Sequence, residues 1–110
     1  MAPSTLEALS QQACVRGARR LADAALAEQI AALPGWSHVA DRIAKTYRFA
    51  GWHETMAFVN AVAWIAARAD HHPDLSVHVN RCVVSYSTHD AGGITQNDLV
   101  CAARVERLFA

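Results

Sequence analysis

Three histidines carry the chemistry this sequence is best equipped to perform. His71 and His72 fall where a helical pattern gives way to a β-rich one, and His89 falls where that stretch meets the turn Asp90-Ala91-Gly92-Gly93. Junctions of this kind present side chains at the ends of rigid elements, where reactive groups concentrate. Imidazoles titrate near pH 6.5, so one cleft holding all three could pair a proton donor with a proton acceptor. Metal binding is the weaker reading. Helical ligands share a face at i, i+4, whereas neighbouring His71 and His72 point about 100° apart. No Cys or second carboxylate stands at ligand spacing either, so no metal and no cofactor are expected. Nucleophilic catalysis also lacks its signs, since Ser85 and Ser87 sit within a strand pattern without a GxSxG elbow. Gly92-Gly93-Ile94-Thr95 leads into a helix but carries no phosphate-loop lysine. An ordinary surface or core role competes for every histidine, and for His38, His53 and His78 it is the only reading.

The elements that must position these groups follow from periodicity. Apolar residues at Leu26, Ile30 and Leu33 predict a short amphipathic helix from Asp23, ended by Pro34-Gly35. Trp36 to Phe49 alternates as a β-hairpin does, with Ile43, Tyr47 and Phe49 on one parity. After Gly51 a stripe through Trp52, Met56, Val59, Ala63 and Ala66, widened by Phe58, Val62 and Ile65, predicts the main buried helix. Pro73 should stop it near His72. Val77 to Thr88 is rich in β-branched residues and reads as strand, turning near Asn80-Arg81. Thr95 and Asp98 have the spacing of a capping box opening a last helix, Gln96 to Leu108, with Asp98 in place of the usual Glu or Gln. The expected fold is α+β: a two-layer domain in which an antiparallel four-stranded sheet carries three helices on one face. Residues 1–20, with Pro3, Gly17 and the cluster Arg16, Arg19 and Arg20, show weak periodicity and read as a flexible N-terminal arm before a single domain over 21–110.

Composition narrows the function classes. A chain of 110 residues has room for one domain. Ten Lys and Arg against ten Asp and Glu leave no basic footprint for a nucleic-acid partner. No apolar run approaches the roughly 20 residues a membrane helix needs, and Met1 to Glu7 lack the charged and apolar regions of a leader, so a soluble, cytoplasmic protein is expected. Cys14, Cys82 and Cys101 are odd in number and widely spaced, which favours buried free thiols over a disulfide framework.

His71-His72-Pro73-Asp74-Leu75, then Asn80, Ser87-Thr88-His89-Asp90, Gly92-Gly93-Ile94-Thr95 and Asp98 together resemble the pterin-4a-carbinolamine dehydratase family. The likeness extends from Leu33-Pro34-Gly35-Trp36 to the C-terminus. The family pattern has an ionisable residue, three positions, His-His-Pro, five positions, an aromatic, nine positions, a His, and later an Asp. Here Ala67 replaces the ionisable residue and Val79 the aromatic one. If the helix continued to His71, a carboxylate at 67 would lie one turn away and favour charged imidazole. Ala67 cannot do so, Arg68 would oppose it, and Asp70, Asp74 or Asp90 would have to supply the charge. Val79 would widen a pocket wall or pack the pterin less well.

The resemblance implies dehydration of a 4a-hydroxytetrahydropterin to the quinonoid dihydropterin, recycling the cofactor of an aromatic amino acid hydroxylase. It implies His71 and His89 as the catalytic acid/base pair, and His72, Pro73, Thr88 and Asp90 as substrate-binding residues. Asp98 closes the signature, although its cap geometry is the favoured explanation. A homodimer or homotetramer is implied, with the hydroxylase as a possible partner. The alternative is a non-catalytic binding, dimerisation or assembly factor on the same scaffold, which Ala67 and Val79 favour and the three histidines oppose.

Overall fold

In the computed structural model, which describes residues 4–109, the expected hairpin is present as its alternation requires. Strand β1 (Ser37–Val39) and strand β2 (Arg42–Arg48) pair antiparallel, with Ile43 and Tyr47 buried and Arg42, Thr46 and Arg48 exposed. The second β-rich stretch also turns where expected, giving β3 (Asp74–His78) and β4 (Arg81–Tyr86). β4 pairs with both β2 and β3, so the sheet order is β1-β2-β4-β3, antiparallel throughout. Register sets Tyr86 opposite Ile43, Val84 opposite Lys45 and Cys82 opposite Tyr47. The period-2 alternation therefore turns Ile43, Tyr47, Cys82, Val84 and Tyr86 into one buried sheet face.

Helices cover that face. α2 (Asp23–Ile30) contributes Leu26, α3 (Trp52–Ala69) contributes Phe58, Val62 and Ile65, and α4 (Gln96–Glu106) contributes Leu99, Cys101, Ala102, Ala103 and Val105 to one continuous core. The α+β architecture is thus as expected. Among the described residues no helix is long and apolar enough to cross a membrane.

Three details differ. First, Leu6–Gln11 forms a further helix, α1, whose Leu9 is fully buried, so residues 6–11 are docked on the domain rather than standing off as an arm. Thr5 caps it by accepting from the Ala8 N–H, and Arg104 and Arg107 of the α4 end reach Ser10. Residues 1–3 of the expected arm lie outside the described residues. Second, the buried stripe of α3 is Thr55, Phe58, Val62, Ile65 and Ala66, while Trp52 and Ala63 are exposed. Apolar residues occupy most of that helix's circumference, and the Thr55 hydroxyl, bonded to the carbonyl of Gly51, also reaches that of Val79. Third, α3 stops at Ala69, short of His72. Asp70 takes a left-handed conformation (φ 51°, ψ 43°), and the N–H groups of Asp70 and His71 both close on the Ala66 carbonyl.

Candidate active site

The end of α3 and the end of β4 converge. His71 and His72 follow the Asp70 cap, Ser87 and Thr88 leave β4, and a single 3₁₀ turn, His89–Ala91, is closed by Gly92 in the left-handed region. Gly93 and Thr88 are joined by an isolated β-bridge, which holds the turn against the start of α4. His71, His72, His89, Thr88 and Asp90 border one cleft of about 300 Å³, together with Asp70 and Ser87. Three histidines from two distant stretches therefore share a cavity. Pro73 is not on its wall; it is half-buried between His72 and the start of β3.

Asp98 organises the site from below. Its carboxylate is completely buried, yet it accepts hydrogen bonds from the Thr95 N–H (2.9 Å), the Thr88 hydroxyl (2.8 Å) and His71 Nε2 (2.5 Å). The capping box is present as its spacing predicts, with the Asp98 N–H returned to the Thr95 side chain. The Thr95 hydroxyl also meets that of Thr88 at 2.9 Å. Cap and cleft are thus one network: Asp98 caps α4 and contacts His71 at once. An ionised carboxylate can only accept, so a neutral His71 ring bound to it carries its proton on Nε2 and its lone pair on Nδ1. The His71 ring also stacks on Tyr86 at 5.8 Å between centroids and 8° between planes. One nitrogen is fixed, one face is backed, and the side chain keeps 15% of its surface exposed.

This arrangement revises the account of the two departures from the signature. Because α3 ends at Ala69, Ala67 does not stand one helical turn beneath His71, and the exposed Ala67 faces solvent. The carboxylate in contact with the His71 ring is that of Asp98, not of Asp70, Asp74 or Asp90. Asp70 lies 3.9 Å from Arg16, and Arg68 packs over the Trp64 ring. Val79 is 65% exposed at the β3–β4 turn, the whole length of β3 away from His72, so it walls no part of this cleft.

A larger cavity of about 930 Å³ adjoins the first, sharing Asp70, His71, Thr88 and Asp90. Its outer wall is the segment from Cys14 to Arg20, with Asn97 of α4 behind it. Weak periodicity in that segment gave no hint of this role, because side chains of α4, not its own pattern, hold it in place. The Asp98–His71 contact did have a signal: a capping carboxylate uses one oxygen on the backbone and leaves another for a partner.

Comparison with known proteins follows the same lines. The family model for pterin 4 alpha carbinolamine dehydratase matches residues 19–108. A protein of Chromobacterium violaceum, whose name marks it provisionally as a pterin-4-alpha-carbinolamine dehydratase, is 59% identical over 93 residues, covering 84% of this chain and 86% of its own. A similarly named protein of Stenotrophomonas maltophilia is 50% identical over 105 residues, covering 91% and 90%. Among solved structures, a transcriptional coactivator/pterin dehydratase from Brucella melitensis superimposes with a TM-score of 0.80 at 28% identity, over 84% of this chain and all of that one. A pterin dehydratase-like protein described as a RuBisCO assembly factor in the alpha-carboxysome shares the fold, with a TM-score of 0.55 at 20% identity over 66% and 84% of the two chains.

Proposed function

The chain belongs to the pterin-4a-carbinolamine dehydratase family, and from that premise we propose that it removes water from a 4a-hydroxytetrahydropterin by histidine acid/base catalysis. The observation that carries the reading is the cleft in which an Asp98-bound His71 lies on a common wall with His72 and His89.

The reaction breaks the C4a–O bond, hands a proton to the departing oxygen and takes the proton from N5. The N5 lone pair assists departure, so the protein's task is proton transfer, which positioned side chains accelerate by about 10² to 10⁴-fold. His71 is the base, accepting the N5 proton at Nδ1 while Asp98 stabilises the imidazolium that results, as a buried carboxylate does for a catalytic histidine. His89, exposed on the 3₁₀ turn, is the acid that protonates the leaving hydroxyl. His72 and Asp90 line the cleft and orient the polar edge of the pterin. Thr88 is a positioning residue, because its hydroxyl is committed to Asp98. The product is the quinonoid dihydropterin, which ties the activity to an aromatic amino acid hydroxylase in the cytoplasm, with the chain assembled as a homodimer or homotetramer.

A second reading, a protein-binding factor on the same scaffold, is favoured by the coactivator description of the Brucella structure. Stopped-flow measurement with freshly generated 4a-hydroxytetrahydropterin separates the two. Dehydration well above the buffer rate is expected; a rate equal to buffer would leave the binding reading in its place.

A further inference from the structure

Between α1 and α2 the chain runs as a strap across α4, and its ends are tied. Arg104 donates to the carbonyls of Ser10 (3.1 Å) and Gln12 (2.6 Å), while the Leu21 N–H donates to the Ile94 carbonyl (2.8 Å). Between these ties the Asn97 side chain grips Val15 in both directions, accepting from its N–H at 2.9 Å and donating to its carbonyl at 2.7 Å. Beside this clamp the Cys14 and Cys101 sulfurs stand 3.8 Å apart, across 87 residues of sequence. Cys101 lies on α4, four residues after Asn97, and is fully buried; Cys14 is half-buried on the strap. The third thiol, Cys82, is buried in β4.

We infer that Cys14 and Cys101 are a site of reversible disulfide formation, with a low-molecular-weight disulfide as oxidant, and that the bond fastens the strap over the cavity joined to the histidine cleft. Access sets the order of steps. The Cys14 thiolate attacks one sulfur of the oxidant, whose S–S bond breaks to release one thiol and leave a mixed disulfide on Cys14. Cys101 loses its proton and attacks the Cys14 sulfur, expelling the second thiol. Two protein thiols are oxidised by two electrons and one small disulfide is reduced to two thiols. Burial, with Cys14 beside it, pushes the Cys101 thiol up, which suits it to the second step rather than the first. Bonding requires the sulfurs to close to about 2.05 Å, a shift that a loop residue such as Cys14 can supply by side-chain rotation and a small strap movement. The ring so closed spans most of the chain, so the oxidised form should melt higher, by on the order of 10 °C.

The test uses the full chain incubated with oxidised glutathione and needs no dehydratase assay. Thiols titrated in denaturant should fall from three to one, non-reducing peptide maps should join Cys14 to Cys101, and dithiothreitol should reverse both. Backbone amides of residues 15–20 should exchange more slowly in the oxidised form. The C101S variant should stop at glutathionylated Cys14. Three titratable thiols after oxidation, or a stable glutathione adduct on Cys14 of the unaltered chain, would overturn the inference. Unchanged exchange of the strap amides in a cross-linked chain would overturn the fastening.

Discussion

Two buried polar networks occupy the two ends of α4, and they treat their hydrogen bonds differently. At the C-terminal end Glu106 accepts from Lys45 (2.7 Å) and from the Tyr47 hydroxyl (2.6 Å), which in turn accepts from Trp36 Nε1 (3.2 Å). Lys45 also donates to the Pro34 carbonyl, and its side chain lies so close to Gly35 (φ 79°) that a Cβ there would sit 2.8 Å from it. Tyr47 is further enclosed by Phe58 and Phe109. At the N-terminal end Asp98 is bonded in the same way by Thr95, Thr88 and His71, but the His71 side chain also borders a cavity that His72 and His89 line. A network that ends on its own members holds tertiary structure. One that ends on a histidine at a cleft leaves that side chain bordering open space, as the proposed chemistry requires.

Substituting one carboxylate at each end should separate the two roles. Asp98→Asn keeps the volume but removes the charge that stabilises His71 imidazolium, so kcat/KM for 4a-hydroxytetrahydropterin should fall by about 10² to 10⁴-fold. Glu106→Gln should leave kcat/KM within about threefold while lowering stability by roughly 1 to 3 kcal/mol, because Lys45 keeps the Pro34 carbonyl but loses its counter-charge in a partly buried site. Equal losses of activity from both substitutions would erase the distinction.

Alkaline pH probes the closed network. Burial first, then the hydrogen bond to Glu106, pushes the Tyr47 hydroxyl up from its ordinary value. The folded state therefore keeps a proton that the unfolded chain releases near pH 10. Its contribution to stability is whole below about pH 10 and is lost as pH climbs from there toward the folded value. Thermal melts should show a decline in Tm above about pH 10 that is smaller in Tyr47→Phe.

The smallest effect is expected at Tyr86, whose buried hydroxyl has no hydrogen-bond partner among the described residues. Tyr86→Phe keeps the ring behind His71 and removes an unpaired polar group, so stability should stay level or rise by up to about 1 kcal/mol. Tyr47→Phe, which removes a hydroxyl making two hydrogen bonds, should lose about 1 to 2 kcal/mol. Comparing their melts at neutral pH measures how well each end is satisfied.

Much of this was legible in the chain because the signals are local. Alternation across Ile43-Tyr47 and the β-branched run from Val77 to Thr88 specify strands, Asn80-Arg81 marks the turn within that run, and the Thr95–Asp98 spacing specifies a cap. The histidines stand out because they fall at element ends. Long-range partners are another matter. The cap spacing leaves one Asp98 oxygen for a partner, but nothing local in the sequence names that partner as His71, 27 residues away. The strap's ties to Asn97 and Arg104 cross more than 80 residues. The rotation of α3 was hidden by its own composition, since alanines on several faces let more than one stripe look apolar. The helix end at Ala69 depended on Asp70 adopting a left-handed conformation, which Pro73 alone does not dictate.

The central claim is that Asp98 fixes His71 with its proton on Nε2 and Nδ1 free toward the cleft it shares with His89. Long-range ¹H–¹⁵N spectra of the imidazoles, recorded with and without a saturating unreactive dihydropterin, test it directly. The account predicts a His71 ring protonated at Nε2 and joint perturbation of the His71 and His89 signals on binding. A His71 ring protonated at Nδ1 alone, or pterin binding that leaves both signals unmoved, would contradict it.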